Sequence, residues 1–261
     1  MKSISILGCG WLGLPLGKYF TNQGYQVKGS TTRSEKLSEL SIANIKPYLI
    51  NLEPELKADP EDFFDSDILI INLPPRNQNG ISGFHFKQLG AIHDFAIHHV
   101  RNILFISSTG VYPNTDGPVR EEDADRKCIS RGGVSIVEAE EVFSLDPALK
   151  TTIIRFGGLY GPGRHPGRFL AGKTNLPGGN NPVNMIHLED CIGVIHKIIQ
   201  LDIWGETFNA CSPDERTRES FYQEASADLG NDPPIFSDEP APFKRVICDK
   251  LISMTGYHFR Y

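Results

Sequence analysis

Short apolar runs alternate along this chain with longer amphipathic or polar stretches. The apolar runs predict strands at 3–7, 25–28, 48–52, 67–72, 103–107, 152–156 and 207–209. The stretches between them predict helices at 12–22, 33–40, 84–100, 134–143 and 188–200. The runs at 67–72 and 103–107 are apolar almost throughout, which is typical of parallel strands with helices on both faces. The pattern therefore predicts an α/β protein with a doubly wound, Rossmann-type parallel sheet.

The alternation weakens after residue 156. Residues 157–182 are rich in Gly, Pro and Asn, and the C-terminal stretch is rich in Pro, so we expect irregular structure in both. We expect residues 1–156 and 183–210 to form the Rossmann domain. Residues 157–182 and 211–261 then form a small substrate-binding lid over the carboxyl ends of the strands, the edge where open α/β sheets take their ligands.

Composition and charge narrow the classes of function. The 261 residues are enough for a full core, and 39% hydrophobic with 22% charged residues are typical of a globular protein. A formal net charge of -6 without a basic tract argues against nucleic-acid or anionic-membrane partners. No apolar run approaches the roughly 20 residues of a membrane span. The 5 cysteines are scattered singly, which predicts free thiols in a reducing cytoplasm and no metal site.

A glycine-rich segment follows the first predicted strand directly and opens the first helix. It reads Gly8-Cys9-Gly10-Trp11-Leu12-Gly13, a GxGxxG pattern in the context that dinucleotide binding requires. The first glycine permits a tight turn, Gly10 lets a pyrophosphate approach the backbone, and Gly13 lets the helix close on the sheet. Free amides at the helix start then bind the phosphates. We count Trp11 and Leu12 with the three glycines as cofactor-binding residues.

The residues after the second predicted strand indicate which dinucleotide binds. NAD-specific sites usually place an Asp or Glu there to hold the ribose hydroxyls, whereas this chain has Ser30, Thr31, Thr32 and Arg33. Hydroxyls with a guanidinium suit a 2′-phosphate, which Arg binds bidentately. The sequence therefore predicts NADP as cofactor. In the alternative, Thr32 or Ser34 caps a helix, Arg33 is solvated, and NAD is the cofactor.

A further candidate segment starts at the last residue of the predicted strand at 67–72. It begins with Asn72, Leu73 and Pro74. In open α/β sheets the carboxyl ends of neighbouring strands share one edge, so we expect this segment to pass under the adenosine or pyrophosphate. These three residues complete the predicted cofactor site.

Three later segments carry a family resemblance. They are Phe105-Ile106-Ser107-Ser108-Thr109-Gly110-Val111-Tyr112, Arg155-Phe156-Gly157-Gly158-Leu159-Tyr160-Gly161-Pro162-Gly163-Arg164 and Ile186-His187-Leu188-Glu189-Asp190. Together with the glycine loop they resemble the extended short-chain dehydrogenase/reductases, the NAD(P)-dependent epimerase/dehydratase family. The resemblance spans nearly the whole chain. It implies an oxidoreductase or epimerase/dehydratase-like protein that binds a dinucleotide and a small polar substrate, such as a nucleotide sugar.

The resemblance also implies a serine after the fifth strand that polarises the substrate oxygen. Ser108 lies four residues before Tyr112, which is the family's spacing, and Thr109 is the runner-up. A hydroxyl at the carboxyl end of a central strand can donate to a carbonyl or alkoxide oxygen. In the alternative, Ser107 and Ser108 only satisfy backbone groups at the strand end.

The chain departs from the family at its catalytic Tyr-x-x-x-Lys pair. Matching the trailing acidic residues puts Gly133 at the Tyr position and Val137 at the Lys position. A shift of one residue gives Gly132 and Ile136 instead. Neither register supplies a Tyr or a Lys, so the standard proton donor is absent.

Three hypotheses follow from this departure. The first is an enzyme with a rearranged proton donor, for which Tyr112, Tyr160 and Arg131 are candidates. The second is a non-catalytic sensor that reports the NADP state to a partner. The third, a structural subunit that keeps the fold as a scaffold, is disfavoured by the intact glycine loop. We interpret His187 and Asp190 as residues that hold the following helix rather than as catalytic groups.

Overall fold

The computed structural model describes residues 2–53, 56, 62–75, 83–130 and 135–261. The chain forms two compact units. The first unit comprises Met1–Val111, Asp125–Arg155 and Ile198–Thr207, and the second comprises Tyr112–Ala124, Phe156–Lys197 and Phe208–Tyr261.

Strands and helices alternate over most of the chain. In order they are β1 (Ser3–Leu7), α1 (Gly13–Asn22), β2 (Gln26–Thr31), α2 (Leu37–Ile42), β3 (Lys46–Leu49), β4 (Ile68–Ile71), α3 (Phe84–His99), β5 (Asn102–Ser108), β6 (Gly117–Val119), α4 (Ile136–Ser144), β7 (Lys150–Phe156), β8 (Gly158–Tyr160), β9 (Met185–His187), α5 (Leu188–Gln200), β10 (Thr207–Ala210), α6 (Arg218–Asp228), β11 (Lys244–Val246) and α7 (Asp249–Thr255).

Seven of the strands form one sheet in the order β10-β7-β5-β4-β1-β2-β3. Parallel pairing links β1 to β2 and β4, β2 to β3, and β4 to β5. The predicted doubly wound α/β fold with a Rossmann-type parallel sheet is thereby confirmed. The chain winds outward through β2 and β3 on one side of β1 and through β4 and β5 on the other. The carboxyl ends of β1 and β4 therefore border the switch point, where such sheets bind ligands.

The central strands are buried because helices cover both faces of the sheet. All four residues of β4 are buried, and Leu69 and Ile71 belong to a core cluster with Leu89 and Ile92 of α3. Burying a side chain of this size contributes roughly 1.5–3 kcal/mol. The apolar runs that identified the strands in the sequence are the same residues that fill this core.

A buried ion pair links α4 to the sheet within the first unit. Nε of Arg155 donates to Oε1 of Glu140 at 3.0 Å, and an Nη of Arg155 donates to Oε2 at 2.7 Å. Oγ of Ser107 donates to Oε1 of the same carboxylate at 2.5 Å. Glu140 is only 2% exposed and Arg155 only 5%. A bidentate pair of this kind satisfies two charges that burial alone would make costly.

The second unit contains regular structure that the sequence pattern does not predict. We expected irregular chain over 157–182 and after 210, but β8 lies within the first of these stretches and pairs in parallel with β9. The C-terminal part is not irregular, since it forms α6, β11 and α7. β11 pairs in parallel with β6. These strands have three residues each, which is too few for a visible alternation of apolar and polar positions.

The described residues offer neither a membrane-spanning helix nor a cluster of metal ligands. None of the helices in the described ranges is both long and apolar enough to cross a bilayer. Across the same ranges, no three His, Cys, Asp or Glu side chains come together in a way that suits a metal ion.

The buried ion pair predicts unequal costs for two neighbouring glutamates of α4. Glu140→Gln removes the buried carboxylate charge that pairs with the guanidinium of Arg155, so we expect a loss of about 3–5 kcal/mol in the free energy of unfolding. Glu141 pairs instead with Arg126, whose side chain is 61% exposed, so Glu141→Gln should cost less than about 1 kcal/mol. Urea unfolding followed by circular dichroism measures both. Equal losses in the two variants would contradict a structural role for the buried pair.

Candidate functional site

The glycine-rich loop joins β1 to α1 at the carboxyl edge of the sheet. Gly8 has φ +106°, a conformation that residues with a Cβ rarely adopt. A Cβ there would also collide with the carbonyl oxygen of Asn72. The N–H of Gly8 donates to Oγ of Ser30 at 2.9 Å, and Nδ2 of Asn72 donates to the carbonyl oxygen of Gly8 at 2.9 Å. Residues of β2 and of the segment after β4 thus hold the loop from both sides.

The start of α1 lies against this loop. A Cβ on Gly13 would collide with the carbonyl oxygen of Gly8, so the helix approaches more closely than a larger residue would allow. α1 has no side-chain cap at Leu12 and no acidic residue in its first turn, and its N-terminus therefore keeps the partial positive charge that attracts anions. Gly10 is exposed, and a Cβ there would meet no atom within 4 Å. Trp11, beside it, is partly buried.

The second strand runs further than predicted. β2 ends at Thr31, so Ser30 and Thr31 lie inside the strand, with 3% and 8% exposure. Thr32 and Arg33 follow the strand and are exposed. Nε of Arg33 lies 4.0 Å from Oε1 of Glu35, an exposed ion pair that contributes little. The predicted cofactor-binding residues at the end of β2 therefore have different roles in the structure. Ser30 holds the glycine loop, whereas Thr32 and Arg33 are open to solvent.

The segment after β4 lies at the same edge as the glycine loop. The N–H of Asn72 donates to the carbonyl oxygen of Leu7 at 2.9 Å, which continues the pairing of β4 with β1 by one residue. Leu73 is partly buried and Pro74 is exposed. Asn72 thus has an identified role in the loop, while Leu73 and Pro74 remain candidate contacts for a ligand.

The predicted catalytic hydroxyls of the first unit lie at the end of β5. Ser108 is the last residue of the strand and is exposed, and its Oγ accepts the N–H of Gly110 at 3.1 Å. Thr109 is buried, with 7% exposure. Ser108 is therefore the one of the pair whose hydroxyl can donate to a ligand in solvent.

The stretch that replaces Tyr-x-x-x-Lys is described only in part. Arg131, Gly132 and Gly133 lie outside the described residues. Ile136 and Val137 form the first turn of α4 and are partly buried. Their side chains carry no proton donor.

Tyr112 belongs to the second unit, where its side chain is buried at 2% exposure. Its hydroxyl donates to Oδ1 of Asn209 at 2.5 Å, and its carbonyl oxygen accepts from Nζ of Lys244 at 2.6 Å. A role as a rearranged proton donor would require Tyr112 to give up this buried hydrogen bond. Its contacts are those of a side chain that organises the second unit.

A cleft of about 830 Å³ opens within the second unit. Among its lining residues are Tyr160, His165, Arg168, His187, Phe221 and Tyr261. The rings of Tyr160 and His187 meet edge to face with centroids 5.1 Å apart, and the ring of Tyr261 lies 4.0 Å from that of His187. The predicted candidate Tyr160 therefore lies in an aromatic wall that sequence reasoning did not anticipate.

The C-terminal residues complete this wall because a buried carboxylate holds them. Asp190 of α5 has no exposed surface. It accepts from the hydroxyl of Tyr257 at 2.8 Å and from the N–H groups of Arg260 at 3.0 Å and Tyr261 at 3.2 Å. Asp190 thus anchors the C-terminal segment, a role that our interpretation of it as a helix-holding residue missed. The partners lie 67 to 71 positions apart in the sequence, so no local pattern connects them.

The cleft carries few unpaired charges. Arg216, which lines it, donates to Asp214 at 2.6 Å and to Glu224 at 2.9 Å. Among the described residues, Arg168 of this cleft has no ion-pair partner. Burial raises the pKa of Tyr160 above its ordinary value. Burial also lowers the pKa of His187, although Asp190 and Glu189 oppose the shift.

A tight glycine turn between β1 and α1, held by residues of β2 and the β4 segment at the switch point, defines the chain as a Rossmann-type α/β protein. No protein-family model matches it. The chain is 36% identical over 267 residues to Protein YeeZ of Escherichia coli (strain K12), covering 100% of this chain and 97% of that protein. This chain belongs to the same family as Protein YeeZ.

Solved structures of other proteins have the same fold as this chain. A conserved protein of unknown function from Silicibacter pomeroyi DSS is similar at TM-score 0.77 and 21% identity, covering 100% of this chain and 94% of that chain. UDP-glucuronic acid 4-epimerase from Bacillus cereus, in complex with UDP-glucuronic acid and NAD, is similar at TM-score 0.76 and 16% identity, covering 99% and 94%. The structural neighbours include NAD-bound epimerases and a short-chain dehydrogenase/reductase. At these identities the likeness shows the fold alone.

Proposed function

We propose that this chain binds NADP(H) and acts as an atypical oxidoreductase or epimerase/dehydratase-like enzyme of the extended short-chain dehydrogenase/reductase type. The observation that carries the proposal is the glycine loop. Ser30 and Asn72 fix it from two sides, and its outer face at Gly10 is open beside an uncapped helix N-terminus. This geometry suits a pyrophosphate, which needs both close backbone approach and free amides.

The preference for NADP over NAD is supported by the end of β2. Thr32 and Arg33 are exposed there. The nearest acidic residue in the sequence is Glu35, which lies beyond the strand end and contacts Arg33. A guanidinium binds a phosphate with bidentate, charge-assisted hydrogen bonds, which are stronger than its hydrogen bonds to an uncharged ribose hydroxyl. The Bacillus cereus epimerase holds NAD, so NADP would distinguish this chain from that neighbour.

The substrate class rests on the second unit. We propose that residues 157–182 and 211–261 take part in binding a small polar substrate, a nucleotide sugar by analogy with the neighbours that bind UDP-sugars. A cleft of about 830 Å³ has room for a ligand of that size. In the first unit, Ser108 is the proposed donor to the substrate oxygen, because its hydroxyl is exposed at the end of β5.

A non-catalytic NADP(H) sensor is the second candidate function. It is favoured by one observation, the replacement of the Tyr-x-x-x-Lys pair by glycine and aliphatic residues such as Val137. A sensor would keep the glycine loop and the exposed Arg33, and it would bind NADPH without oxidising it.

Gly10→Val should abolish dinucleotide binding and leave the fold intact. The branched side chain would fill the path of the pyrophosphate, but no protein atom lies within 4 Å of the new Cβ. Gly90→Val in α3 is the matched control, because a Cβ there also meets nothing within 4 Å. Calorimetric titration with NADPH measures binding, and thermal unfolding checks the fold. Native affinity in Gly10→Val would overturn the assignment of the loop.

Arg33→Ala should weaken NADPH binding by about 1–3 kcal/mol, the range for a charge-assisted hydrogen bond, and weaken NADH binding much less. Arg101→Ala is the control, since Arg101 is exposed and precedes β5 at the amino edge of the same sheet. Calorimetry with both cofactors gives the comparison. Tighter binding of NADH than of NADPH by the native protein would refute the NADP preference.

Turnover on ordinary substrates of this enzyme class should be slow. A positioned general acid or base is worth roughly 10²–10⁴ in rate, which is about 3–5 kcal/mol of barrier, and the standard pair is absent. NADPH oxidation over a panel of UDP-sugars and simple carbonyl compounds measures this. Slow turnover that Ser108→Ala lowers further supports the enzyme, whereas tight NADPH binding without any turnover supports the sensor. Fast turnover that survives the loss of Ser108, Tyr112 and Tyr160 together would refute the proposed active site.

A further inference from the structure

The cleft of the second unit contains two polar groups that the fold leaves without a partner. Within the described part of the chain, neither Nε2 of His187 nor the hydroxyl of Tyr160 makes a hydrogen bond. Both residues line the cleft, with their rings 5.1 Å apart. Most polar groups inside a protein already have a hydrogen-bond partner. Two polar groups that lack one and line a cleft can therefore bind a ligand there.

The hydrogen bonding of His187 decides which of its nitrogens carries the proton. Its Nδ1 lies 3.3 Å from the N–H of Glu189, in the first turn of α5. A backbone N–H can only donate, so Nδ1 must be the acceptor in this contact. The proton of the neutral ring is therefore on Nε2, the nitrogen that is left for a ligand.

The surroundings keep this ring neutral and fixed. Burial lowers the pKa of His187 from an ordinary value of about 6.5, so the ring is uncharged at neutral pH. The groups that face it are Glu189 and Asp190 on α5, Tyr160 on β8 and Tyr261 of the C-terminal segment. The two carboxylates favour the charged form but do not outweigh burial. The ring of Tyr261 lies 4.0 Å from the imidazole, tilted by 30°, and is anchored through Asp190, so it restricts the rotation of the imidazole.

Tyr160 offers a second donor of the same kind. Burial raises its pKa, so its hydroxyl stays protonated over the neutral range. Because the rings of the two residues lie 5.1 Å apart, both neutral donors can contact the same ligand. Preorganised donors of this type stabilise the negative charge that an oxygen acquires during reaction, and they gain strength where solvent is partly excluded.

We infer that His187 and Tyr160 form a two-donor site for the reacting oxygen of a carbonyl- or hydroxyl-bearing substrate, with His187 donating through Nε2–H. This inference rests on the proposed function, since it names the residues that would replace the missing proton donor. It assigns His187 a catalytic role in addition to the helix-holding role inferred from the sequence, which the contact of its Nδ1 with the N–H of Glu189 supports. The substrate class is a polar compound whose oxygen becomes more negative in the reaction.

The protonation state of the His187 ring can be measured without an assay of enzyme turnover. In protein labelled with ¹⁵N in histidine, the spectra of native protein and of His187→Gln identify the signals of His187. The expected result at pH 7 is a neutral ring with its proton on Nε2. A charged ring, or a proton on Nδ1, overturns the inference whatever the protein catalyses.

Kinetics of matched variants test the role of the two donors on the panel substrate that turns over fastest. His187→Phe keeps a ring against Tyr261 but has no donor, so kcat should fall by about 10²–10³-fold. His187→Gln keeps an N–H donor and cannot titrate, so kcat should fall less. Tyr160→Phe should lower kcat by about 10²-fold or more. All three should leave NADPH affinity unchanged, and thermal unfolding checks that the second unit folds.

The pH dependence separates a catalytic from a structural role. Protonation places a proton on Nδ1 against the N–H of Glu189, so kcat/KM of the native enzyme should fall on the acid side, below about pH 6.5. This acid limb should disappear in His187→Gln. Tyr222→Phe and His258→Gln are the controls, because both residues belong to the second unit and neither lines the cleft. Losses of kcat no larger than those of the controls, or an acid limb that survives in His187→Gln, overturn the inference.

These outcomes are distinct from a failure of the proposed function. A protein that does not bind NADPH, or binds it and turns over no panel substrate, contradicts the enzyme. In either case the ¹⁵N spectrum of the protein, recorded while UDP-glucose is titrated in, with NADPH present only where it binds, tests whether the two donors bind a ligand. A shift of the Nε2 signal of His187 but not of His258 supports the site. Binding of UDP-glucose without that shift overturns it.

Discussion

The chain reversal at Gly8 is the constraint on which the first unit depends. β1 must end, turn and enter α1 within a few residues, and it does so next to the carbonyl of Asn72, where any Cβ would collide. Two hydrogen bonds, from Gly8 to Ser30 and from Asn72 to Gly8, tie this turn to both strands that flank β1. Because the turn is held by residues of its neighbours, the open face at Gly10 does not have to be stabilised by the ligand it is proposed to receive.

Most of the first unit could be predicted because its strands are apolar and its helices amphipathic. The run at 67–72 became β4 to within a residue at each end. The second strand shows where this reasoning fails. Gly29, Ser30 and Thr31 read as a polar loop, but they are the buried end of β2. Small polar residues can occupy a buried strand when the loop beside them supplies hydrogen-bond partners, as Gly8 does for Ser30.

The second unit was predicted less well because several of its helices and strands lack a clear apolar pattern and its contacts join residues far apart in the sequence. α6 is polar over much of its surface, and it begins where Thr217 accepts the N–H of Ser220, a capping signal without an amphipathic stripe to support it. The contact of Asp190 with Tyr257 is decided by tertiary structure alone, since 67 positions separate them. Long-range pairs of this kind determine the cleft wall, so the placement of His187 beside Tyr160 is not recoverable from spacing.

The protonation of Tyr160 and His187 in the cleft of the second unit determines which type of reaction the proposed site suits. In the family that the chain resembles, a lysine lowers the pKa of the catalytic tyrosine so that it can act as acid or base. Here burial raises the pKa of Tyr160, and His187 has its basic nitrogen occupied by the N–H of Glu189. Both groups are then donors at neutral pH and neither is a ready base. An epimerase must remove a proton from a hydroxyl as hydride leaves its carbon, which needs a base. Reduction of a carbonyl needs its oxygen stabilised as hydride arrives and then protonated, which a neutral donor that regains its proton from solvent can do. The proposed pair of neutral donors therefore suits the reduction of a carbonyl, for which the proposed cofactor NADPH would supply the hydride.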